Sequence, residues 1–192
     1  MTQLRAFETE QDALEYEDEI TRVLTAVDLC PVPTVAAIHG ACTGGGASIA
    51  AACDIRVASA QLKFGFPIAR TLGNCLNAGN LARLSELMGA GRVREMIFTA
   101  RLIGADEARD AGLITEVLPD EDALMARASA LADHLAGMTP LTLRAPKEAM
   151  RRNRNALAAE DSDLISMCYM SNAFKHGLEA FLAKRKPEWG GT

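Results

Sequence analysis

The chain has 192 residues and a mass of 20.5 kDa, the size of about one globular domain. Hydrophobic residues make up 49% and charged residues 23%, which excludes a disordered tail, a collagen-like repeat and a coiled coil. A net charge of −5 and an aromatic content of 5% argue against a nucleic-acid or membrane partner. The five cysteines form no CxxC pair, so the sequence predicts no metal site and no disulfide framework; we expect a reducing cytoplasm.

The first part of the chain alternates strand and helix signals. A capping-box pattern at Thr9 and Asp12 opens a helix that ends before Pro31 and Pro33. The pattern then predicts a buried strand over 34–38, a glycine-rich turn over 40–46, a helix over 47–52, a strand over 54–58 and a loop to 77. The uncharged stretch 29–53 is long enough to span a bilayer, but its prolines, glycines and alanines favour a buried strand–turn–helix.

The second part is mainly helical. The pattern predicts short helices over 80–88, 93–99 and 105–111, a strand over 113–118, and helices over 122–136, 140–154 and 161–186. Early alternation followed by helices indicates an α/β protein. Three strands are few for an α/β core of this size.

The sharpest local feature is the segment His39-Gly-Ala-Cys-Thr-Gly-Gly-Gly-Ala-Ser48, between a predicted strand and a predicted helix. Glycines allow close backbone approach, and a helix N-terminus presents unpaired N–H groups to an anion. The segment lacks the Lys-Ser/Thr of a P-loop and the spacing of GxGxxG. Its end is one residue away from a serine-hydrolase elbow at Ser48, with His134 and His176 as candidate partners, but no strand directly precedes that serine. A tight turn without a ligand is the other interpretation.

The run PTVAAIHGACTGGGASIAAACDIRVAS resembles the crotonase (enoyl-CoA hydratase/isomerase) superfamily. Further matching segments follow in order: Phe64-Gly-Phe-Pro67, residues 99–119 and residues 177–187. The resemblance implies an α/β, crotonase-like (ClpP/crotonase) spiral of ββα units with a C-terminal helical trimerisation region. It also implies a homotrimer or hexamer that acts on an acyl-CoA, with coenzyme A as part of the substrate and no other cofactor.

The resemblance also assigns site residues. Gly45 would supply one of two backbone N–H donors that stabilise a thioester enolate. The two glutamates that hydratases of the family use fall at Ser48 and Ile68, where this chain has no carboxylate. We expect substrate-binding roles for six further positions, with Arg70 suited to a carboxylated acyl chain and Lys184 to a CoA phosphate: Ala41, Gly44, Arg70, Asn74, Phe181 and Lys184.

The second N–H donor of the family comes from an N-terminal loop that we do not find in this sequence. We therefore expect the N-terminal ββα portion to be missing, with a partial core over residues 1–135 and a C-terminal helical region over 136–192. The predicted function is that of an enoyl-CoA hydratase/isomerase, a lyase or isomerase of fatty acid metabolism. Two alternatives remain: an acyl-CoA-binding pseudoenzyme or inactive fragment, and another chemistry of the superfamily, isomerisation or decarboxylation.

Overall fold

The computed structural model describes residues 3–156, 159–187 and 189, in which short strands alternate with helices before a series of helices ends the chain. The strands are β1 (Val35–Ile38), β2 (Ala41–Thr43), β3 (Ile55–Ser59), β4 (Lys63–Gly65), β5 (Ile103–Gly104) and β6 (Glu116–Leu118). The α-helices are α1 (Glu10–Asp28), α2 (Gly45–Ala52), α3 (Ala78–Met88), α4 (Ala90–Phe98), α5 (Ala105–Asp110), α6 (Glu121–Ala136), α7 (Pro140–Ala156), α8 (Ser162–Tyr169) and α9 (Asn172–Leu182). Short 3₁₀ helices cover Gln3–Ala6 and Pro67–Arg70. In the described ranges, no helix combines the length and the apolar character needed to cross a membrane.

The strands form two three-stranded sheets. The first has the order β1-β3-β6 and is parallel throughout. In the second, of order β2-β4-β5, β2 and β4 are parallel and β5 is antiparallel to β4. Because β1 pairs with β3 and β2 pairs with β4, the unit β1-β2-α2 lies beside the unit β3-β4-α3. This stacking of ββα units is the predicted spiral.

The structure has more strands than the sequence predicts. Strand β2 lies inside the predicted glycine-rich turn, and β4 and β5 were not predicted at all. Each has only two or three residues, which is too few for an alternating pattern to be visible. The predicted strand over 113–118 is shorter, because the Leu113 and Ile114 N–H groups donate to the Ala108 carbonyl at 2.9 and 3.3 Å instead of to a neighbouring strand.

The predicted helix over 161–186 is two helices, α8 and α9. Ser171 separates them: its hydroxyl accepts a hydrogen bond from the Phe174 N–H at 3.0 Å and so starts the second helix. The capping box at the start of α1 is confirmed, since Thr9 and Asp12 exchange both expected hydrogen bonds.

Two hydrophobic clusters hold the elements together. The main cluster fills the space between the sheets and α2 to α5, with Phe64 and Phe66 packed edge to face at a ring distance of 5.9 Å. The second cluster joins the N-terminal segment to α8 and α9 through Leu4, Ala13, Ile165, Tyr169, Phe174 and Leu178. Helix α1 therefore shares a core with the C-terminal helices.

Helix α7 is attached mainly by charged contacts, since none of its described residues is buried. The Lys147 ammonium donates to the Asp54 carboxylate at 2.7 Å, and that carboxylate also accepts the Thr34 N–H at 2.7 Å. Farther along the helix, Arg154 donates to the Asp28 carboxylate at 2.8 Å. These contacts fix α7 to the ends of α1 and of the parallel sheet.

Candidate active site

The N-terminus of α2 presents a free backbone donor. Gly44 has φ 54° and ψ −125°, a conformation that glycine adopts without the steric cost other residues incur. The turn makes Gly45 the first residue of α2, so its N–H has no partner within the helix. Gly45 is exposed, and its surroundings are open: even a Cβ added there would meet no atom within 4 Å. The predicted donor is therefore available to a ligand at the positive end of a helix.

The sheet register brings the two predicted catalytic segments to one edge. Thr43 of β2 is paired with Gly65 of β4, and the two strands are parallel. The turn into α2 and the segment Phe66–Ile68 therefore leave the carboxyl ends of neighbouring strands. In open α/β sheets, ligands bind outside this edge. Ala41, at the other end of β2, is exposed and pairs with Lys63.

Neither position that replaces a family glutamate carries an acid. Ser48 is buried within α2, and its N–H donates to the Gly44 carbonyl at 3.0 Å. It lies inside the helix, so the strand-to-helix elbow of a serine hydrolase is absent at this position. Ile68 packs into the main core, and its carbonyl accepts the N–H groups of Leu72 at 3.1 Å and Gly73 at 2.8 Å. Ile68 thus shapes the loop that follows it but offers no proton.

Two other predicted residues lie on that loop. Arg70 is exposed at the end of the short 3₁₀ helix, where its guanidinium is accessible. Asn74 is half-buried, and its Nδ2 donates to the Tyr169 hydroxyl at 3.3 Å. Its buried Oδ1 has no hydrogen-bond partner among the described residues. Asn74 therefore keeps an acceptor that a bound molecule could use.

Sequence reasoning missed the polar network that Asn74 joins. Its centre is Glu17 on α1, which is only 6% exposed. The Tyr169 hydroxyl donates to Glu17 Oε1 at 2.6 Å, and Asn77 Nδ2 donates to Oε2 at 3.0 Å. Burial raises the pKa of Glu17 above its usual range, although both hydrogen bonds oppose the rise. Burial also raises the pKa of Tyr169, with the neighbouring Glu17 carboxylate as a second cause.

A signal for Glu17 was present in the sequence. Ala13 and Leu24 are buried on α1, and Glu17 lies four residues after the first and seven before the second, on the same helix face. An acid on an apolar face needs an explanation, because carboxylates are almost never buried without a partner. The acidic composition of the first 28 residues hid this single inward-facing residue.

The loop also holds a cysteine next to α8. The neighbouring Cys75 thiol lowers the pKa of Cys168 to about 7, whereas Cys168 and burial raise the pKa of Cys75. Cys75 is therefore a poor nucleophile. In the described part of the chain, no group of three or more His, Cys, Asp or Glu residues could hold a metal ion.

The two residues assigned to CoA lie at the end of α9. Phe181 is 45% exposed, and Lys184 is also exposed. The Lys184 N–H donates to the Phe181 carbonyl at 3.1 Å and the Arg185 N–H to the Ala180 carbonyl at 2.9 Å, the pattern of a Schellman motif. Lys184 occupies the left-handed position of that motif, with φ 54°, where glycine is usual.

The stacked ββα units and the free Gly45 donor together define a protein of the crotonase fold. The sequence profile of the enoyl-CoA hydratase/isomerase family matches residues 2–192, and the chain belongs to that family. An enoyl-CoA isomerase/hydratase of Mycosarcoma maydis is 36% identical over 188 residues, covering 95% of this chain and 68% of the relative. A short-chain-enoyl-CoA hydratase of Clostridium acetobutylicum is 36% identical over 172 residues, covering 87% of this chain and 65% of the relative.

Solved structures agree with this assignment. A methylmalonyl-CoA decarboxylase in complex with 2-nitronate-propionyl-CoA superposes with a TM-score of 0.84 at 25% identity, covering 93% of this chain and 70% of that structure. Measured against the Mycosarcoma maydis and Clostridium acetobutylicum relatives, the chain spans about two thirds of their length.

Proposed function

We propose that this chain acts on an acyl-CoA thioester as an enoyl-CoA hydratase/isomerase, with the Gly45 N–H stabilising an enolate. The free N–H at the first position of α2, on the ligand-binding edge of the sheet, carries the proposal. The names of the two curated relatives support the substrate class, as does the acyl-CoA analogue bound to the similar decarboxylase.

The chemistry follows from where charge develops. Removing a proton next to a thioester moves negative charge onto its carbonyl oxygen. A fixed N–H aimed at that oxygen stabilises the enolate more than it stabilises the neutral substrate. The loss of one such donor from an oxyanion hole costs about 2.7–4 kcal/mol of transition-state stabilisation. The positive end of α2 favours the same charge.

The CoA portion would lie toward the end of α9. Lys184 offers an exposed ammonium for a phosphate, and the exposed ring of Phe181 lies one helical turn before it. Lys184 occupies a backbone conformation that disfavours a side chain, which is typical of residues kept for function. Arg70, exposed at the end of the short 3₁₀ helix, suits a carboxylate on the acyl chain.

We also infer that copies of this chain associate as a homotrimer or hexamer. Helix α7 and the segment before it expose large apolar side chains, including Leu141 at 75% and Met150 at 62% exposure. An exposed apolar surface of this kind commonly marks a protein interface. Sedimentation of the chain and of Leu141→Asp tests this: the wild type should sediment as a trimer or hexamer and the variant as a smaller species.

Gly45 variants test the function itself. The assay follows deuterium incorporation at the α-carbon of a short 3-enoyl-CoA in D₂O by NMR. Gly45→Pro removes the N–H, and proline is well tolerated at the first position of a helix. Gly45→Ala keeps the N–H and, because the site is open, is the matched control.

We expect Gly45→Ala to exchange the α-proton at nearly the wild-type rate and Gly45→Pro to lose about 10²–10³-fold. Circular dichroism and thermal unfolding verify that both variants fold. Equal rates for Gly45→Pro and the wild type would overturn the enolate assignment.

A further inference from the structure

Glu17 is the single buried acidic side chain in the described part of the protein, and no cation neutralises it. Its hydrogen bonds come from neutral groups, the Tyr169 hydroxyl and the Asn77 amide. Burying a carboxylate without a positive partner disfavours the ionised form and costs stability. An apolar residue here would continue the buried face of α1, so packing alone does not account for an acid.

A cavity lies beside Glu17. Glu17 lines this cavity, which has a volume of about 460 Å³ and lies between α1, the start of α3 and the segment before α8. Leu14, Thr21, Asn77, Gly79 and Ile165 are among the other lining residues. The volume falls within the range of small-molecule sites. A buried acid with a perturbed pKa at the wall of such a cavity is a candidate for proton transfer.

The elements around Glu17 adjoin those that carry the candidate site. Helix α1 packs against α2, which begins at Gly45 and contains Ser48. Asn77, which holds Glu17 Oε2, ends the loop that leaves β4 through Ile68. Asn77 Oδ1 also caps α3 by accepting the Asn80 N–H at 2.9 Å, so its amide is fixed. Glu17 therefore lies on the helix that packs against the Ser48 helix, and its Oε2 is held by the residue that ends the loop after Ile68.

We propose that Glu17 is the proton-transfer residue of this site and that the cavity beside it receives the acyl chain. The proposal rests on the proposed function. In an isomerisation the Glu17 carboxylate takes the proton from C2 of a 3-enoyl-CoA. The electron pair of that C–H bond moves onto the thioester oxygen at the Gly45 N–H. The carboxylic acid then returns its proton to C4, the double bond moves to C2–C3, and the carboxylate is regenerated. A single carboxyl group is therefore sufficient, because it takes the proton from C2 and returns it to C4.

Tyr169 is a positioning residue in this proposal, since it acts through Glu17. The Tyr169 hydroxyl donates to the Glu17 carboxylate and accepts a hydrogen bond from Asn74 Nδ2. These two hydrogen bonds fix the orientation of the Glu17 carboxylate and of the Asn74 amide. Two charged groups face Glu17: Asp161 at the start of α8 and Asp18 on its own helix. Both add to the rise in the pKa of Glu17 that burial causes, whereas the hydrogen bonds from Tyr169 and Asn77 lower that pKa. Removing the Tyr169 hydroxyl should therefore raise the pKa of Glu17 further.

The first test measures 3-enoyl-CoA isomerisation and C2 deuterium exchange by Glu17 and Tyr169 variants of the full chain. Glu17→Gln keeps the side-chain size but cannot take the proton, and we expect a loss of about 10²–10⁴-fold in kcat. Glu17→Asp should recover part of that loss. Tyr169→Phe should move the acidic limb of the kcat–pH profile to higher pH. Glu15→Gln, on the exposed side of the same helix, is the matched control and should keep the wild-type rate.

The second test does not depend on turnover. ¹³C-carboxyl-labelled glutamate, assigned by comparison with Glu17→Gln, reports the ionisation of Glu17 by NMR. Saturation with unreactive butyryl-CoA should shift the Glu17 resonance and raise its pKa, because the acyl chain displaces water from the cavity. The Glu15 resonance should remain unchanged.

The outcomes separate this proposal from the function on which it rests. If Gly45→Pro abolishes exchange and Glu17→Gln does not, the Glu17 role is wrong and the enolate chemistry stands. If neither substitution affects exchange, the proposed function itself fails. A Glu17 resonance that butyryl-CoA leaves unmoved would also overturn the proposal. A Glu17→Gln defect confined to KM would overturn the proposal as well, because such a defect indicates a residue that binds the substrate without taking part in proton transfer.

Discussion

Gly177 sets how closely α9 approaches the site loop. A Cβ added at Gly177 would lie 2.5 Å from the Leu72 carbonyl oxygen and 3.0 Å from the Thr71 oxygen. Restoring a contact of ordinary length requires α9 and this backbone to separate by about 0.9 Å. The neighbours are backbone atoms, so no side chain can rotate to make room. We expect Gly177→Ala to lower the free energy of unfolding by about 1–3 kcal/mol, the usual cost of overpacking.

Urea denaturation followed by circular dichroism measures this cost. With a slope of about 2 kcal/mol per molar urea, the midpoint should fall by about 0.5–1.5 M. Gly91→Ala in α4 is the control, because its added Cβ meets no atom within 4 Å. It should be neutral or stabilising by up to about 1 kcal/mol. An unchanged midpoint for Gly177→Ala would refute the close packing of α9 on the loop.

Three further predictions concern the backbone and the buried acid. Lys184→Gly should stabilise the chain by about 1 kcal/mol, because it removes the strain of a left-handed backbone conformation at a residue with a side chain. The same substitution should weaken CoA binding in calorimetry, and an unchanged CoA affinity would contradict the phosphate-binding role of Lys184. In thermal unfolding, Gly44→Ala should destabilise the chain by about 1–3 kcal/mol because Gly44 has a positive φ, whereas Gly46→Ala, inside α2, should stabilise it by about 0.5–1 kcal/mol. Equal effects of the two substitutions would contradict the turn assigned at Gly44. The folded state binds the Glu17 proton more tightly than the unfolded state, so the stability of the wild type relative to Glu17→Gln should fall as pH rises above about 4.5; a constant difference between pH 4 and 8 would contradict this.

Much of the fold could be predicted because its signals are local and strong. The capping box at Thr9, the strand after Pro33 and the glycine run before α2 each follow from backbone chemistry that needs no tertiary context. The donor at Gly45 belongs to this group, since a free N–H is a property of any helix start.

The remaining features depend on contacts between distant residues. Strands β2 and β4 are only three residues long and are defined by their pairing with each other. Glu17 differs from the acids around it only in facing Tyr169 and Asn77, which lie 152 and 60 residues farther along the chain. No local pattern contains those partners, so the network at the candidate site became visible only in three dimensions.

The thioester carbonyl itself reports most directly on the central claim, the Gly45 hydrogen bond. Infrared difference spectra of ¹³C-labelled butyryl-CoA bound to the chain isolate the stretch of that carbonyl, whose frequency falls when a donor polarises it. We predict a lowered frequency in the wild type and in Gly45→Ala, and a frequency closer to that of free butyryl-CoA in Gly45→Pro. The same lowered frequency in all three proteins would show that Gly45 does not contact the thioester oxygen.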